Sequence, residues 1–139
     1  MKTLATAFSA VVLAVSLSSC TFLSEKYSRN EKASAAFLAD NKTAPAKMNI
    51  EGLWYSPQWG IVLLNQEGSK LDGVFQDYYA VKGVVSGKTA YITLTDDDWT
   101  EYTAILKYKN GEELVGAYSS YVPLNEKHQH DLVLKRIDR

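Results

Sequence analysis

The chain has 139 residues, enough for one domain of ordinary size. Its 15 lysines and arginines are matched by 16 aspartates and glutamates, so it has no basic surplus to neutralise a phosphate backbone. We therefore expect no nucleic-acid partner. Aromatic residues are frequent and glycines recur at intervals, a composition that favours β structure over helix.

The first twenty residues have the layout of an export signal. Lys2 supplies a positive start, an apolar run follows, and the run ends in Leu17-Ser18-Ser19-Cys20. This tetrad resembles the lipobox of bacterial lipoproteins, in which an aliphatic and two small residues precede a cysteine that receives diacylglycerol. The resemblance covers residues 1–20. It implies a signal peptide at 1–19, cleavage between Ser19 and Cys20, and stable anchoring by several acyl chains on Cys20, palmitate among them.

Two other interpretations of this segment are open. A transmembrane helix would need a longer apolar run to cross a hydrocarbon core of about 30 Å. An ordinary secretory signal cut elsewhere would leave Cys20 as a free thiol. The residue after Cys20 is Thr21 rather than aspartate, which in lipoproteins of diderm bacteria implies the periplasmic side of the outer membrane. We thus expect a cell-envelope protein, and acylation of its single cysteine leaves the core alone to hold the fold.

Residues 20–48 are rich in Ser, Ala, Glu and Lys and show no sustained apolar stripe. The simplest interpretation is a lipidated tether, whose length would be roughly 30 Å if it were flexible. The alternative is a short helix around Glu31–Ala39 that docks on the domain.

Residues 49–139 alternate between apolar and polar positions and are divided by turn signals. The pair Asn110-Gly111 predicts a hairpin with a type I′ turn, since both residues tolerate positive φ. Short connections favour antiparallel neighbours, and closure of a twisted sheet removes its edges. We therefore predict an all-β fold, a small antiparallel up-and-down meander barrel of about eight strands, with a two-sheet sandwich as the alternative. The predicted strands are Ile50–Ser56, Gly60–Gln66, Lys70–Tyr79, Val81–Ser86, Lys88–Thr95, Trp99–Lys109, Glu112–Tyr121 and His128–Ile137.

Four strands share a glycine followed two residues later by a large apolar residue, which is typical of strongly coiled strands. These segments begin at Gly52, Gly73, Gly83 and Gly116. The alternation places one set inside, namely Leu71, Gly73, Phe75, Tyr79, Ala90, Ile92, Leu94, Tyr102, Ala104, Leu106, Tyr108, Leu114, Gly116 and Tyr118. It places Asp72, Gln76, Thr93, Thr95, Thr103 and Lys107 in solvent. The second strand is apolar on both faces, so the N-terminal segment or another chain is expected to cover its outer face.

The first strand, with Gly52 and Trp54, resembles the opening strand of avidin-like and lipocalin-like barrels, which also begin with Gly-x-Trp near the barrel floor. This resemblance implies a calycin-like shape. It says little about a ligand.

Motifs for chemistry are weak. His128, His130 and Asp131 are close in sequence, but a metal site needs a further ligand. The turn Asp96-Asp97-Asp98 lacks the spacing of a calcium loop. No nucleophile, phosphate-loop or dinucleotide motif occurs in the sequence. We therefore expect no enzyme activity, no cofactor and no metal.

Two functions fit these observations. The first is a protein-interaction or inhibitor-like module with an envelope partner, for which the expected exposed aromatics are Tyr55, Trp59, Tyr78, Tyr91 and Tyr121. The alternative is a lipocalin-like carrier of a small apolar ligand, lined by Trp54, Phe75, Tyr102 and Tyr118. A narrow eight-stranded barrel with many large inward residues favours a filled core and therefore the interaction module.

Overall fold

The computed structural model describes residues 30–97 and 99–137. In this part of the chain, helix α1 covers residues 30–40 and eight strands follow. The strands are β1 (Gly52–Ser56), β2 (Gly60–Glu67), β3 (Lys70–Phe75), β4 (Tyr79–Ser86), β5 (Thr89–Asp96), β6 (Trp99–Asn110), β7 (Glu113–Ser119) and β8 (His130–Arg136). A 3₁₀ helix, Glu126–His128, lies between β7 and β8.

The strands form one closed barrel in which every neighbour is antiparallel and follows the chain order. The predicted up-and-down meander barrel is thus confirmed, and the sandwich is wrong. Closure is made by two pairs between β1 and β8, Trp54 with Arg136 and Tyr55 with Lys135. We call the end with turns 57–59 and 76–78 the mouth, and the end with turns 68–69 and 111–112 the floor.

The coiling glycines allow neighbouring strands to approach closely. A Cβ atom on Gly73 would lie 2.0 Å from the carbonyl oxygen of Leu63, and one on Gly116 would lie 1.8 Å from that of Ile105. Both distances are far below contact, so these two positions exclude a side chain. The glycine pattern therefore reflects the curvature of the sheet.

Two local predictions were wrong. The third strand ends at Phe75 instead of Tyr79, because Gln76 and Asp77 both adopt φ of 57° and turn the chain. Tyr79 then begins β4. The hairpin after β6 is where Asn110-Gly111 predicted it, but neither residue has positive φ. Instead, the Asn110 side chain accepts a hydrogen bond from the Glu112 N–H at 3.0 Å, an Asx turn.

Helix α1 packs along the outer face of β4–β6, so the alternative of a docked helix describes this segment. Its buried Phe37 lies edge-on to Tyr91, with 6.1 Å between ring centroids. Asn30 donates to the carbonyl of Thr100 near the mouth, and the hydroxyl of Ser86 accepts from the Ala44 N–H at 2.9 Å near the floor. The helix therefore runs from mouth to floor.

Helix α1 explains why one residue that the alternation predicts to face solvent is buried. Thr93 is 2% exposed and lies beside α1, with its hydroxyl directed to the carbonyl of Lys82. Thr103 is also buried, because its hydroxyl donates to the carbonyl of Tyr121 at 2.7 Å in the loop after β7. Both threonines had been predicted to face solvent, and both are covered by chain segments that alternation alone does not reveal.

The predicted signal peptide, its cleavage site at Ser19 and the lipidation site at Cys20 lie outside the described residues. Within the described part, α1 is too short and too polar to span a membrane, and it is the sole α-helix there.

Candidate functional site

The floor of the barrel is closed by Trp54, which is fully buried. Its indole N–H donates to the carbonyl of Ile50 at 2.9 Å. The guanidinium of Arg136 lies 4.3 Å from the centroid of the Trp54 rings and donates to the carbonyls of Glu51 at 2.7 Å and Gly111 at 3.1 Å. Every polar group of this tryptophan is satisfied, and a cation covers its face. Trp54 is therefore a core residue at the floor.

The mouth is closed by Trp59, which the sequence predicted to be exposed on its turn. This prediction was wrong, since the side chain is only 7% exposed. The hydroxyl of Ser56 accepts from the N–H groups of Gln58 at 3.2 Å and Trp59 at 3.1 Å. These bonds fold the turn back so that the indole enters the barrel.

Four rings from four strands surround Trp59, all edge-on. The centroid distances are 5.1 Å to Tyr102, 5.2 Å to Tyr118, 5.5 Å to Tyr79 and 6.0 Å to Phe75. Edge-to-face contacts at this separation stabilise the cluster beyond its buried area. Of the predicted ligand-lining group, Phe75, Tyr102 and Tyr118 are thus brought together, around the chain's own indole. Trp54 is not with them, because it is at the floor.

The Trp59 indole N–H is buried and finds no acceptor among the described residues. This contrasts with the satisfied N–H of Trp54. A buried donor without a partner costs about 1–3 kcal/mol. The cluster therefore holds Trp59 by ring contacts and by its turn, without a hydrogen bond from the indole.

The electrostatics of the mouth are acidic. Burial, together with the nearby Glu101 carboxylate and Tyr102, raises the pKa of Tyr79 to about 12. The Tyr78 hydroxyl donates to the carboxylate of Asp96 at 2.8 Å, and this bond raises the pKa of Tyr78. Both tyrosines are neutral donors at physiological pH.

The remaining interface candidates divide into two groups. Tyr55, Tyr78 and Tyr121 are 44%, 60% and 45% exposed, as predicted. Tyr91 is only half-buried instead of exposed, because Phe37 of α1 covers it, which corrects that prediction. Tyr121 stacks on His128 with 5.1 Å between centroids, so the loop before β8 presents a flat aromatic surface at the mouth.

Two surface grooves flank the mouth. One, of about 440 Å³, lies between α1 and β4–β6 and is lined by Ser34, Leu38, Thr93, Thr95 and others. The second, of about 580 Å³, is a shallow hollow in the loop formed by residues 121–127. Glu31, Lys82 and Asp97 also line the first groove, and Glu126 and Lys127 line the second.

The histidines do not share a strand. His128 ends the 3₁₀ helix, whereas His130 begins β8 and lies 5.3 Å from the ring of Tyr118. Across residues 30–97 and 99–137, no three His, Cys, Asp or Glu side chains come together as metal ligands. Asp98, the last residue of the acidic turn, is outside the described part.

Three residues central to this arrangement were missed or misplaced by sequence reasoning: Arg136, Trp59 and Phe37. The contact between Arg136 and Trp54 joins the two ends of the barrel sequence, and no local pattern predicts it. For Trp59 the available signal was Ser56, whose hydroxyl is well placed to fold the following turn. Phe37 was visible as an isolated aromatic in a polar segment, which is too little to predict where a helix docks.

Comparisons with known proteins add no relative for this barrel. The chain matches no protein-family model, and neither the curated proteins nor the solved structures include a significant match.

Proposed function

We propose that the chain is a lipid-anchored envelope protein whose barrel, calycin-like in shape, is a non-catalytic interaction module of the inhibitor or assembly-factor kind. The observation that carries this proposal is Trp59 in the mouth. Its indole occupies the place that an apolar ligand would enter, between Tyr102, Tyr118 and Phe75. The floor is closed independently by Trp54. Recognition therefore belongs to the outer surface.

The exposed aromatics at the mouth suit such recognition. Tyr78 and Tyr121 are about half exposed or more, and both are held in place, by Asp96 and by stacking on His128. Rigid tyrosines with one apolar face and one polar tip are enriched at protein contacts. The carboxylates of Asp96, Asp97 and Glu101 beside Tyr78 favour a partner with a basic surface.

The attachment of α1 limits how far from the bilayer an acyl anchor on Cys20 would let this surface lie. Residue 30 lies beside Thr100 near the mouth, ten residues after Cys20. Ten fully extended residues span at most about 35 Å. An acyl anchor on Cys20 would hold the mouth within that distance of the bilayer.

The carrier alternative requires Trp59 to leave its four ring contacts. The interior below is occupied by fully buried side chains, including Phe75, Leu64 and Leu94. Because these side chains fill the interior, the carrier is the less supported of the two functions.

The test is photo-crosslinking in native membranes from cells that carry the full chain. A photoreactive residue replaces Tyr78 or Tyr121, and Lys107, which is exposed on the floor half of β6, is the matched control position. We expect one protein adduct from positions 78 and 121, none from 107, and loss of the adduct when the other mouth tyrosine is changed to alanine. No adduct, together with a small apolar molecule that raises the melting temperature, would support the carrier instead. Mass spectrometry of the N-terminal peptide tests the anchor separately, and an unacylated Cys20 in the membrane fraction contradicts it.

A further inference from the structure

Helix α1 is held to the barrel by few contacts. Phe37 is the one buried side chain of residues 30–40, and it packs edge-on against Tyr91. Among the described buried apolar residues, Phe37 alone lies outside the core cluster that the others form. One hydrogen bond between described residues joins the helix to a strand, from Asn30 to the carbonyl of Thr100. Elements with few buried apolar contacts are the ones that open first in native proteins.

The packing beneath the helix is incomplete. The groove of about 440 Å³ lies between α1 and β4–β6, and Ser34 lines it with a hydroxyl that is buried and has no partner among the described residues. A buried hydroxyl without a partner favours a state in which water reaches it. The strand face beneath the helix is polar, with Lys82, Thr93 and Thr95 along the groove. Covering such a face gains little from the hydrophobic effect.

The docked position of α1 is not one that buries a large apolar surface. The outer face of β2 is apolar, and its Ile61 and Leu63 are 48% and 39% exposed. The N-terminal segment or another chain was expected to cover β2, but the described part of that segment lies over β4–β6 instead. The docking of α1 therefore depends on Phe37 and Asn30 rather than on a broad apolar contact.

The chain that follows α1 is fastened more firmly, at the floor. The Gly87 N–H donates to the carbonyl of Pro45 at 3.0 Å, and the Gly87 carbonyl accepts from the Lys47 N–H at 2.8 Å. The Ile50 N–H donates to the side chain of Gln66 at 2.9 Å, and the Ile50 side chain belongs to the core cluster. Loosely held and firmly held chain therefore meet just after α1.

We propose that α1 is a detachable strap, which is held by Phe37, is loosened by the buried Ser34 hydroxyl, and leaves the barrel without unfolding it. Its release moves the point where the chain leaves the barrel from the mouth to the floor. This proposal goes beyond the interaction role at the mouth, and the release itself does not depend on acylation of Cys20.

Release changes both the reach and the direction of the chain that joins the barrel to Cys20. A helix of this length is marginal on its own, so α1 unfolds when it leaves the barrel. With α1 docked, the chain leaves the barrel at Asn30 near the mouth, at most about 35 Å from Cys20. With α1 released, it leaves at Ala44 near the floor, 24 residues after Cys20, which span at most about 80 Å. On an acylated Cys20, the docked strap holds the mouth toward the bilayer, and release turns the floor toward it.

The test measures whether the surface beneath the strap opens while the barrel stays closed. Thr93→Cys places a thiol under α1, Ala90→Cys places one inside the barrel on the same strand, and Lys107→Cys is exposed. Each full chain is labelled in native membranes with a water-soluble maleimide, and a Cys20→Ala version removes the other thiol if Cys20 proves unacylated. We expect labelling at 93 to be at least about tenfold faster than at 90 and at least about tenfold slower than at 107. Hydrogen exchange of the unsubstituted chain should likewise be at least about tenfold faster in α1 than in β5.

Substitutions in α1 should shift this opening in opposite directions. Phe37→Ser should speed labelling at 93 by at least about tenfold and leave labelling at 90 unchanged. Ser34→Ala should slow labelling at 93, and by more than Ala36→Ser speeds it, because Ala36 is exposed and its substitution changes helix propensity alone. Four results overturn the proposal: labelling at 93 as slow as at 90; labelling at 93 as fast as at 107; acceleration at 90 along with 93 in Phe37→Ser; or an effect of Ser34→Ala no larger than that of Ala36→Ser.

Energy transfer to acceptor lipids, in vesicles that carry the full chain, tests the change of direction. A fluorophore on Lys127→Cys marks the mouth and one on Lys70→Cys marks the floor, and both positions are exposed. We expect stronger transfer from 127 with α1 docked and stronger transfer from 70 in the Phe37→Ser chain; the same order in both chains overturns the change of direction. Weak transfer from both labels contradicts the anchor on Cys20, and labelling at 93 then decides the strap. Capture of a partner at the mouth enters none of these measurements, so failure here is distinct from failure of the interaction role.

Discussion

Replacing each of the two buried tryptophans by phenylalanine isolates the contribution of one hydrogen bond to the free energy of unfolding. Both substitutions remove about 40 Å³ of indole, which at about 24 cal/mol per Å³ costs about 1 kcal/mol. Trp54→Phe also leaves the buried carbonyl of Ile50 without its 2.9 Å donor, a further cost of about 1–3 kcal/mol. We therefore expect Trp54→Phe to lower the free energy of unfolding by about 2–4 kcal/mol.

Trp59→Phe should behave differently, because its N–H has no acceptor among the described residues. The substitution removes a buried, unpaired donor, and this gain of about 1–3 kcal/mol offsets the lost volume. We expect a net change of about 1 kcal/mol or less, in either direction. The assay is urea unfolding of the purified protein followed by circular dichroism, with unchanged m-values as the control for a common unfolded state. Equal midpoint shifts, or a larger shift for Trp59→Phe, would refute the reasoning.

The other predictions concern coiling, docking and titration. Gly116→Ala should lower the free energy of unfolding by at least about 1–3 kcal/mol, because its Cβ would lie 1.8 Å from a carbonyl oxygen of the neighbouring strand. Gly68→Ala is the control, because a Cβ there meets open space at φ of +60°, and it should cost only about 1 kcal/mol. Urea midpoints in the reverse order would contradict this prediction. Phe37→Ser should release α1, seen as faster proteolysis within residues 30–40 with little change in the melting temperature of the barrel; unchanged proteolysis means that the helix is held by other contacts. An ultraviolet pH titration should show one tyrosine ionising near pH 12, the pKa of Tyr79, and Glu101→Gln should lower that value. Because the pKa of Tyr79 in the folded protein lies above the usual 10, the unfolded chain loses this proton first, so the free energy of unfolding should fall as pH rises from about 10 to 12. A titration in which every tyrosine ionises near pH 10 would be inconsistent with burial of Tyr79.

The strand order and the inward faces followed from sequence because their causes are local. Alternation places Leu71, Ile92 and Leu106 inside whatever the neighbours are, and turn residues separate the strands. Closure followed from strand number and short connections. These causes act within about ten residues, the range that a sequence pattern covers.

The burial of Trp59 in the mouth and the covering of outer residues could not be predicted from local patterns. The direction of Trp59 depends on a hydroxyl of Ser56 that captures two N–H groups, and the same turn with the indole outside satisfies every local rule. The solvent positions Thr93 and Thr103 were wrong because segments far along the chain cover them. Which outer face is covered is a property of tertiary packing, so Tyr91 was predicted as a contact residue although α1 lies over it.

The short seam between β1 and β8 has a consequence for the order in which a nascent chain acquires structure. In the described part of the chain, two residue pairs and a hydrogen bond from the Ile137 N–H to the Leu53 carbonyl join these strands, and Arg136 strengthens the seam by contacting Trp54 and the carbonyl of Glu51. A chain that emerges N-terminus first therefore exposes a seven-stranded open sheet, with β1 as a bare edge, until β8 is released. Loss of the last few residues of β8 would make that transient edge permanent and turn a self-contained barrel into a template for aggregation.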